Sequence, residues 1–410
     1  MTSIDTTIST GSVAASISAN AERLSRALND HMRNSFQPES RKSLRRFNAS
    51  EVSELTGISM SNLRTRHQDG DFPEVQTDSR GRRSYTAAEI DQIRDIMART
   101  GRNGDLYRPG RRAGDKLQVI SIVNFKGGSS KTTTAIHLAQ RYALRGYRVL
   151  ALDLDAQASL TTLFGFRPEV EFAEGGTIYD ALRYADLDAP EGERFEPVPL
   201  RDVIRKTYFH NLDLAPAGLM LSEYETETAY ALQHRLEPPF TQRLAIALDE
   251  IEANYDLVLI DCPPQLGFTT MSALLASTGL LITVVPSMLD VASMAQFLEM
   301  AGETIRALEE AAGTIDWDFL KFLVARYEPT DVPQSQMAGF LRSILLDQVL
   351  NTPMLKSTAI SDAGMTQQTI YEIDPGQVVR KTLDRIMESV NGVADEFEAT
   401  LQAAWGRETD

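Results

Sequence analysis

Lys126 and Lys131 stand at either end of a run of small residues. The stretch Asn124-Phe125-Lys126-Gly127-Gly128-Ser129-Ser130-Lys131-Thr132-Thr133-Thr134 follows the apolar run KLQVISIV. Binding a phosphate chain needs backbone N–H groups turned inward, a helix N-terminus behind them and a lysine that reaches the outer phosphates. Gly127 and Gly128 allow the tight backbone path, Lys131 is the phosphate lysine, and the Thr132 hydroxyl can ligate Mg2+. The candidate ATP-binding set is Lys126, Gly127, Gly128, Ser129, Ser130, Lys131, Thr132 and Thr133. Ser130 occupies the slot where such loops usually carry glycine. If that slot demands a positive φ, serine costs about 1 kcal/mol, which weakens the loop without breaking it. Lys126 is extra to the general pattern.

Such a loop must join a strand to a helix, and the flanking sequence supplies both. LQVISIVNF precedes it, and KTTTAIHLAQRYALRG follows it and stops at Gly146. Further apolar strands read as RVLALDLD, NLDLAPA, YDLVLIDCPP, LLITVVPS and FLKFLVARY, most of them separated by helical stretches. Continuous Val/Ile/Leu runs suit strands buried on both faces. Their alternation with helices predicts a doubly wound, parallel α/β sheet. Ligands bind at the carboxyl ends of parallel strands. Asp153 and Asp155 end one strand and Asp261 ends another, on the same edge as the phosphate loop.

The region ahead of this domain reads differently. Ile17, Ala21, Leu24, Leu28 and Met32 recur at helical spacing, either for self-pairing or for packing on the same chain. After Pro38 and the basic RKSLRR, Ser50 is a candidate cap for a helix that ends at Gly57, and Ser59 or Ser61 starts a second helix, MSNLRTRH. FPEVQTDSRGRRSYT resembles a basic wing, and Thr86 caps a third helix. Helix, short turn and helix is a DNA-reading arrangement. Residues 41–112 carry fifteen Arg/Lys against ten Asp/Glu, a net of +5, in a chain whose net charge is −16. Such asymmetry can mark an attached nucleic-acid-binding module or a solvated basic surface.

Composition closes off other classes. The 410 residues imply two or three domains. One cysteine, Cys262, excludes an internal disulfide framework and any multi-cysteine cluster, and fits a reducing compartment. No run of 18 apolar residues occurs, and the N-terminus lacks the form of a signal peptide, so a cytoplasmic protein is expected. The first 15 residues read as disordered, and the acidic insert at 186–199 reads as a surface loop.

KGG-x-x-K-[ST] at Lys126–Thr132 resembles the deviant Walker A motif of the ParA/MinD class of ATPases. That resemblance implies that Lys126 reaches across a sandwich homodimer to the partner's nucleotide, as an arginine finger does. RVLALDLDAQASL resembles the family's D-x-D-P-Q-x segment, with Gln157 matching and Ala156 in place of proline. It implies that Asp155 positions the attacking water and that Asp153 supports the metal. YDLVLIDCPPQLG resembles a Walker B strand, which implies that Asp261 holds Mg2+ through water. Arg326, after the sixth strand, falls where the family contacts adenine.

Within the class, the lone cysteine argues against an iron protein, the acidic C-terminus against a membrane-bound regulator, and the single phosphate loop against an anion pump. The stretches VPSMLDVASMAQFL, ARYEPTDVPQSQMAGFLRSI and KSTAISDAGMTQQTIYE resemble the RepA partition proteins of repABC-type plasmids. The expected organisation is an arm and dimerisation helix (1–40), a winged helix-turn-helix domain with linker (41–112) and an ATPase domain (113–410). The resemblance implies a weak, Mg2+-dependent ATPase that binds ATP and ADP and associates with the nucleoid rather than a membrane. Its ATP-bound dimer binds DNA without sequence preference, a ParB/RepB-type centromere-binding partner stimulates hydrolysis, and the front domain represses its own operon. Ser61, Asn62, Arg64 and Arg66 are candidates for reading operator bases, and Arg80, Arg82 and Arg83 for phosphates or the minor groove. Arg342, Lys356, Arg380, Lys381 and Arg385 are candidates for non-specific DNA. The alternative is a nucleotide-sensing repressor with negligible ATPase activity.

Overall fold

The structure is a computed structural model that describes residues 13–35, 42–184, 196–312, 315–358, 360, 367–374, 376 and 379–407. Most of the acidic insert, the first 12 residues and residues 361–366 of the KSTAISDAGMTQQTIYE stretch lie outside the described residues. The chain divides into two compact units, residues 1–42 and 43–410.

In the first unit, helix α1 runs over Val13–Ser35 as its periodicity predicts. Val13, Ile17 and Leu24 on it are exposed. The side chains of Ala21, Leu28 and Met32 lie outside the described residues.

The second unit opens with the expected winged helix-turn-helix. Strand β1 (Phe47–Asn48) leads into α2 (Ala49–Thr56) and α3 (Met60–Gln68), then β2 (Gln76–Thr77), β3 (Arg83–Tyr85) and α4 (Ala87–Thr100). The three short strands pair antiparallel in the order β1-β3-β2, with Asp78–Arg82 as the tip of the wing. Gly57 ends α2 in the left-handed conformation, Ser59 caps α3, and Thr86 with Glu89 forms a capping box on α4. The cap of α2 is not Ser50, which lies inside the helix. Asn48 accepts from the Ser50 and Glu51 N–H groups, and the Glu51 carboxylate returns a bond to the Asn48 N–H.

The larger part is a seven-stranded sheet: β4 (Gln118–Val123), β5 (Val149–Asp153), β6 (Arg205–Lys206), β7 (Leu212–Ala215), β8 (Leu257–Asp261), β9 (Gly279–Val284) and β10 (Phe319–Val324). Their order is β10-β9-β4-β8-β5-β7-β6. All neighbours are parallel except β6 and β7, so an antiparallel edge strand adds to the six parallel strands expected. The margin beyond β10 is flanked by residues 349–355, which bond to its backbone at Phe322 and Val324.

Every residue of β4, β5, β8 and β9 is buried, because helices cover both faces. Ile120, Val149 and Leu257 pack with Tyr142 of α5 (Lys131–Arg145) and with Val390 and Phe397 of the C-terminal helix Arg380–Ala404. Val119, Leu150 and Val258 face the opposite core, which holds Leu244, Met271 and Phe297. Phe47, Val52, Leu55 and Ile93 of the winged unit join the first of these cores. Helix α5 starts at the phosphate loop on the carboxyl edge and runs about 22 Å at 1.5 Å per residue to the opposite edge.

Candidate functional site

The loop between β4 and α5 has the backbone that a phosphate cradle needs. Gly128 has φ +76° and Ser130 has φ +73°. The slot that serine fills therefore takes the left-handed region, the condition under which serine costs about 1 kcal/mol there. An added Cβ on Gly127 would meet nothing within 4 Å, so that side of the loop is open. Asn124 braces the loop by accepting the Lys126 N–H at 2.9 Å and donating to the Thr283 carbonyl. The Arg326 guanidinium donates to the Gly128 carbonyl at 3.1 Å, which places Arg326 against the loop.

Lys131 is buried at the start of α5. Burial lowers its pKa, and the carboxylates of Asp261 and Asp155 oppose that fall. Asp261 is buried at the end of β8 directly opposite Asp153 at the end of β5. Asp153 is held by three donors: Thr161 N–H at 2.8 Å, Thr161 Oγ1 at 2.7 Å and Asp155 N–H at 3.1 Å. Neither carboxylate oxygen of Asp261 has a hydrogen-bond partner among the described residues. Burial, then repulsion from Asp153, pushes the Asp261 carboxyl well above the usual carboxylate range, against the pull of Thr132 and Lys131. Burial likewise raises Asp153. Two buried carboxylates, one of them with no hydrogen bond of good geometry among the described residues, carry more negative charge than Lys131 offsets.

The set fits Mg2+. Among the described residues no three His, Cys, Asp or Glu side chains are arranged to hold a metal on their own. Mg2+ commonly keeps waters and takes one or two protein oxygens plus substrate phosphates. Thr132, Asp261 and Asp153 are of that kind.

Lys126 does not face these carboxylates. Its ammonium bonds Asp290 Oδ2 at 2.9 Å, with the lysine side chain 43% exposed and the aspartate 9% exposed. Asp290 lies at the start of the helix Met288–Ala312 and also accepts from Ser287 Oγ. Phe125, Met288 and Leu289 beside it are exposed apolar residues. Asp290 and Thr161 belong to none of the phosphate-loop, D-x-D or Walker B motifs that the sequence displays. Asp290 lies 164 residues from Lys126, and no local pattern marks it. His137 is fully buried, its pKa lowered by burial to about 4, and its Nε2 accepts the Ile370 N–H, so it is structural.

The DNA candidates form a separate group. Ser61, Asn62, Arg64 and Arg66 lie on α3, where Ser61 and Arg64 are exposed, Asn62 is half-buried and Arg66 pairs with Asp71 at 3.0 Å. Arg80 and Arg82 are exposed on the wing, with Arg82 paired to Asp78, and Arg83 is half-buried in β3. On the larger part, Lys356 pairs with Glu328, Arg342 donates to the Asn351 carbonyl and Arg380 lies near Asp384. Lys381 and Arg385 are exposed.

Residues 117–312 match the family described as AAA domain, and residues 47–104 match the MerR HTH family of regulatory proteins. The chain is 47% identical over 391 residues to "Putative replication protein A" of Rhizobium rhizogenes, covering 95% of each chain. It is 30% identical over 253 residues to "Chromosome partitioning protein ParA" of Caulobacter vibrioides, covering 60% of this chain and 84% of that one. A solved structure titled "Partition Protein" aligns with a TM-score of 0.62 at 19% identity, over 94% of this chain and 98% of that one, which supports the fold.

Proposed function

The chain belongs to the ParA family of P-loop partition ATPases, among its RepA-type members with a helix-turn-helix domain in front, and on that premise we propose that it is a Mg2+-dependent ATPase that segregates plasmid copies and represses its own operon. The observation that carries the reading is the unpaired Asp261 carboxylate beside Lys131 and a phosphate loop already bent into positive φ at Gly128 and Ser130. A site built this way is completed by a cation and a phosphate chain.

In this reading residues 1–40 are an arm and dimerisation helix, 41–112 the DNA-reading domain with its linker, and 113–410 the ATPase. Lys131 and the loop N–H groups hold the phosphates. Thr132 and Asp261, with Asp153 behind them, would hold Mg2+, which neutralises phosphate charge when bound. Asp155 orients the attacking water, and Arg326 borders the base. Lys126 leaves Asp290 and crosses to the partner's site as two copies close. The exposed Phe125, Met288 and Leu289 supply apolar area at the edge of that face. The closed dimer binds DNA through backbone phosphates, and a ParB/RepB-type partner stimulates hydrolysis and release.

Lys126→Ala tests the reading. Nucleotide binding should persist, because Lys131 and the loop are intact. Turnover with DNA and the partner protein should fall about 10³-fold or more, the scale of a finger residue. Turnover at the wild-type rate would refute a role for Lys126 in trans. The bond of Lys126 to Asp290 in its own chain favours a second reading, a nucleotide-sensing repressor with negligible turnover. That reading predicts no stimulation by DNA and partner in the wild-type protein.

A further inference from the structure

Arg94 lies where two helices from different parts of the second unit end. It projects from α4 of the winged unit and is 2% exposed. Its Nη2 donates to the Leu144 carbonyl at 3.2 Å and to the Leu55 carbonyl. Leu55 is the penultimate residue of α2, and Leu144 is the penultimate residue of α5. Carbonyls in a last turn lack intrahelical donors and carry the negative end of the helix dipole. A buried cation is therefore balanced here by two helix ends, one from the winged unit and one from the helix that begins at the phosphate loop. Gly146, with φ +96°, makes room for it, because an added Cβ would lie 2.9 Å from Arg94 Cδ.

Other bonds surround this point. One turn earlier on α4, Asp91 accepts from Arg108 at 2.6 Å and from Asn211, in the turn before β7, at 2.9 Å. Glu54 of α2 accepts from Asn391 of the C-terminal helix at 3.2 Å and lies 3.7 Å from Arg141 of α5. These contacts hold α2 and α4. Ser61, Arg64 and the wing tip stay exposed.

We infer that Arg94 is a specificity-determining residue for DNA reading: by pinning the winged unit to the end of α5, it fixes the separation of the two recognition helices when two copies pair, and so selects the spacing between half-sites. The inference rests on the proposed paired ATPase with a DNA-reading front domain. A dimer that reads two half-sites selects their spacing only if each reading helix is rigid relative to the dimer. Arg94 acts through the placement of α3 and touches no base, so it is a positioning residue.

Full-length protein with Mg2+ and ATP, selecting from random-sequence duplexes, tests this. Wild type should enrich paired half-sites at one spacing. Arg94→Met keeps the apolar stem and removes the donors, and should enrich the same half-site with spacings spread over several base pairs. A single wild-type spacing in Arg94→Met would overturn the inference, as would a lower melting temperature with the spacing unchanged. A DNA-free measurement separates this from the underlying reading. Spin labels on Gln68→Cys and Asp249→Cys should give a narrow distance distribution that broadens about twofold in Arg94→Met. An unchanged width overturns the pin. If the width broadens but wild type selects no paired half-sites, the reading of spacing and of pairing on DNA falls. Should Arg94→Met fail to fold, Arg94→Lys, which keeps a buried cation and gives up the guanidinium fork, is read the same way.

Discussion

Asp261 and Asp153 face each other across β5 and β8, and the folded protein holds both carboxyls above their usual range. A carboxyl whose folded pKa exceeds its unfolded value contributes stability that is full below the unfolded pKa and is lost as pH rises through the folded one. The nucleotide-free protein should therefore lose stability as pH rises from the ordinary carboxylate range towards neutrality. Asp261→Asn should flatten that loss and raise stability at pH 7 by about 1–3 kcal/mol, the scale of an unsatisfied buried group, while abolishing hydrolysis. Thermal melts at pH 5 and pH 7 check this, and an equal pH response in both proteins would contradict it. Ser130 adds little to the imbalance. Replacing it with glycine would relieve about 1 kcal/mol of left-handed strain, but glycine's extra freedom in the unfolded chain returns about 0.5–1 kcal/mol. Serine in that slot is close to neutral for stability.

At the scale of elements, the cap of α2 gives a direct test. Asn48→Ala should cost about 1 kcal/mol, while Ser50→Ala should stay within about 0.5 kcal/mol, the range of an ordinary surface change. Urea unfolding of the two variants compares them, and a larger loss at Ser50 would contradict the observed box. The sequence held the right answer, since Asn48 and Glu51 have the spacing of a capping box, which Ser50 lacks with respect to that helix. The six parallel strands were legible because each is a mostly apolar run, and the four at the centre of the sheet are buried along their whole length. β6 was not, because Arg205-Lys206 is two residues long and carries no apolar pattern. The site divides along the same line. Ser130's strain and the shared edge of Asp153, Asp155 and Asp261 follow from local spacing. The Lys126–Asp290 pair and the Arg94 contacts join residues far apart in sequence, and packing alone brings them together.

For the whole molecule, charge is divided by task. Residues 41–112 carry +5 while the chain carries −16, so the charge that could draw DNA is confined to that segment. DNA affinity should fall steeply with salt through counterion release. Arg64→Ala should relax sequence preference at a cost of about 1–3 kcal/mol, whereas Arg80→Ala should weaken all sequences alike and lower the salt slope by about one. Binding isotherms at three salt concentrations separate them, and equal effects on preference would contradict the division between α3 and the wing. The sheet's margins carry a last consequence. β6 ends after two antiparallel residues, and residues 349–355 shield the side of β10. Short or covered margins resist strand-to-strand accretion. Copies held close together are thereby steered away from strand-to-strand stacking, which leaves contact between them to surfaces other than the sheet's margins.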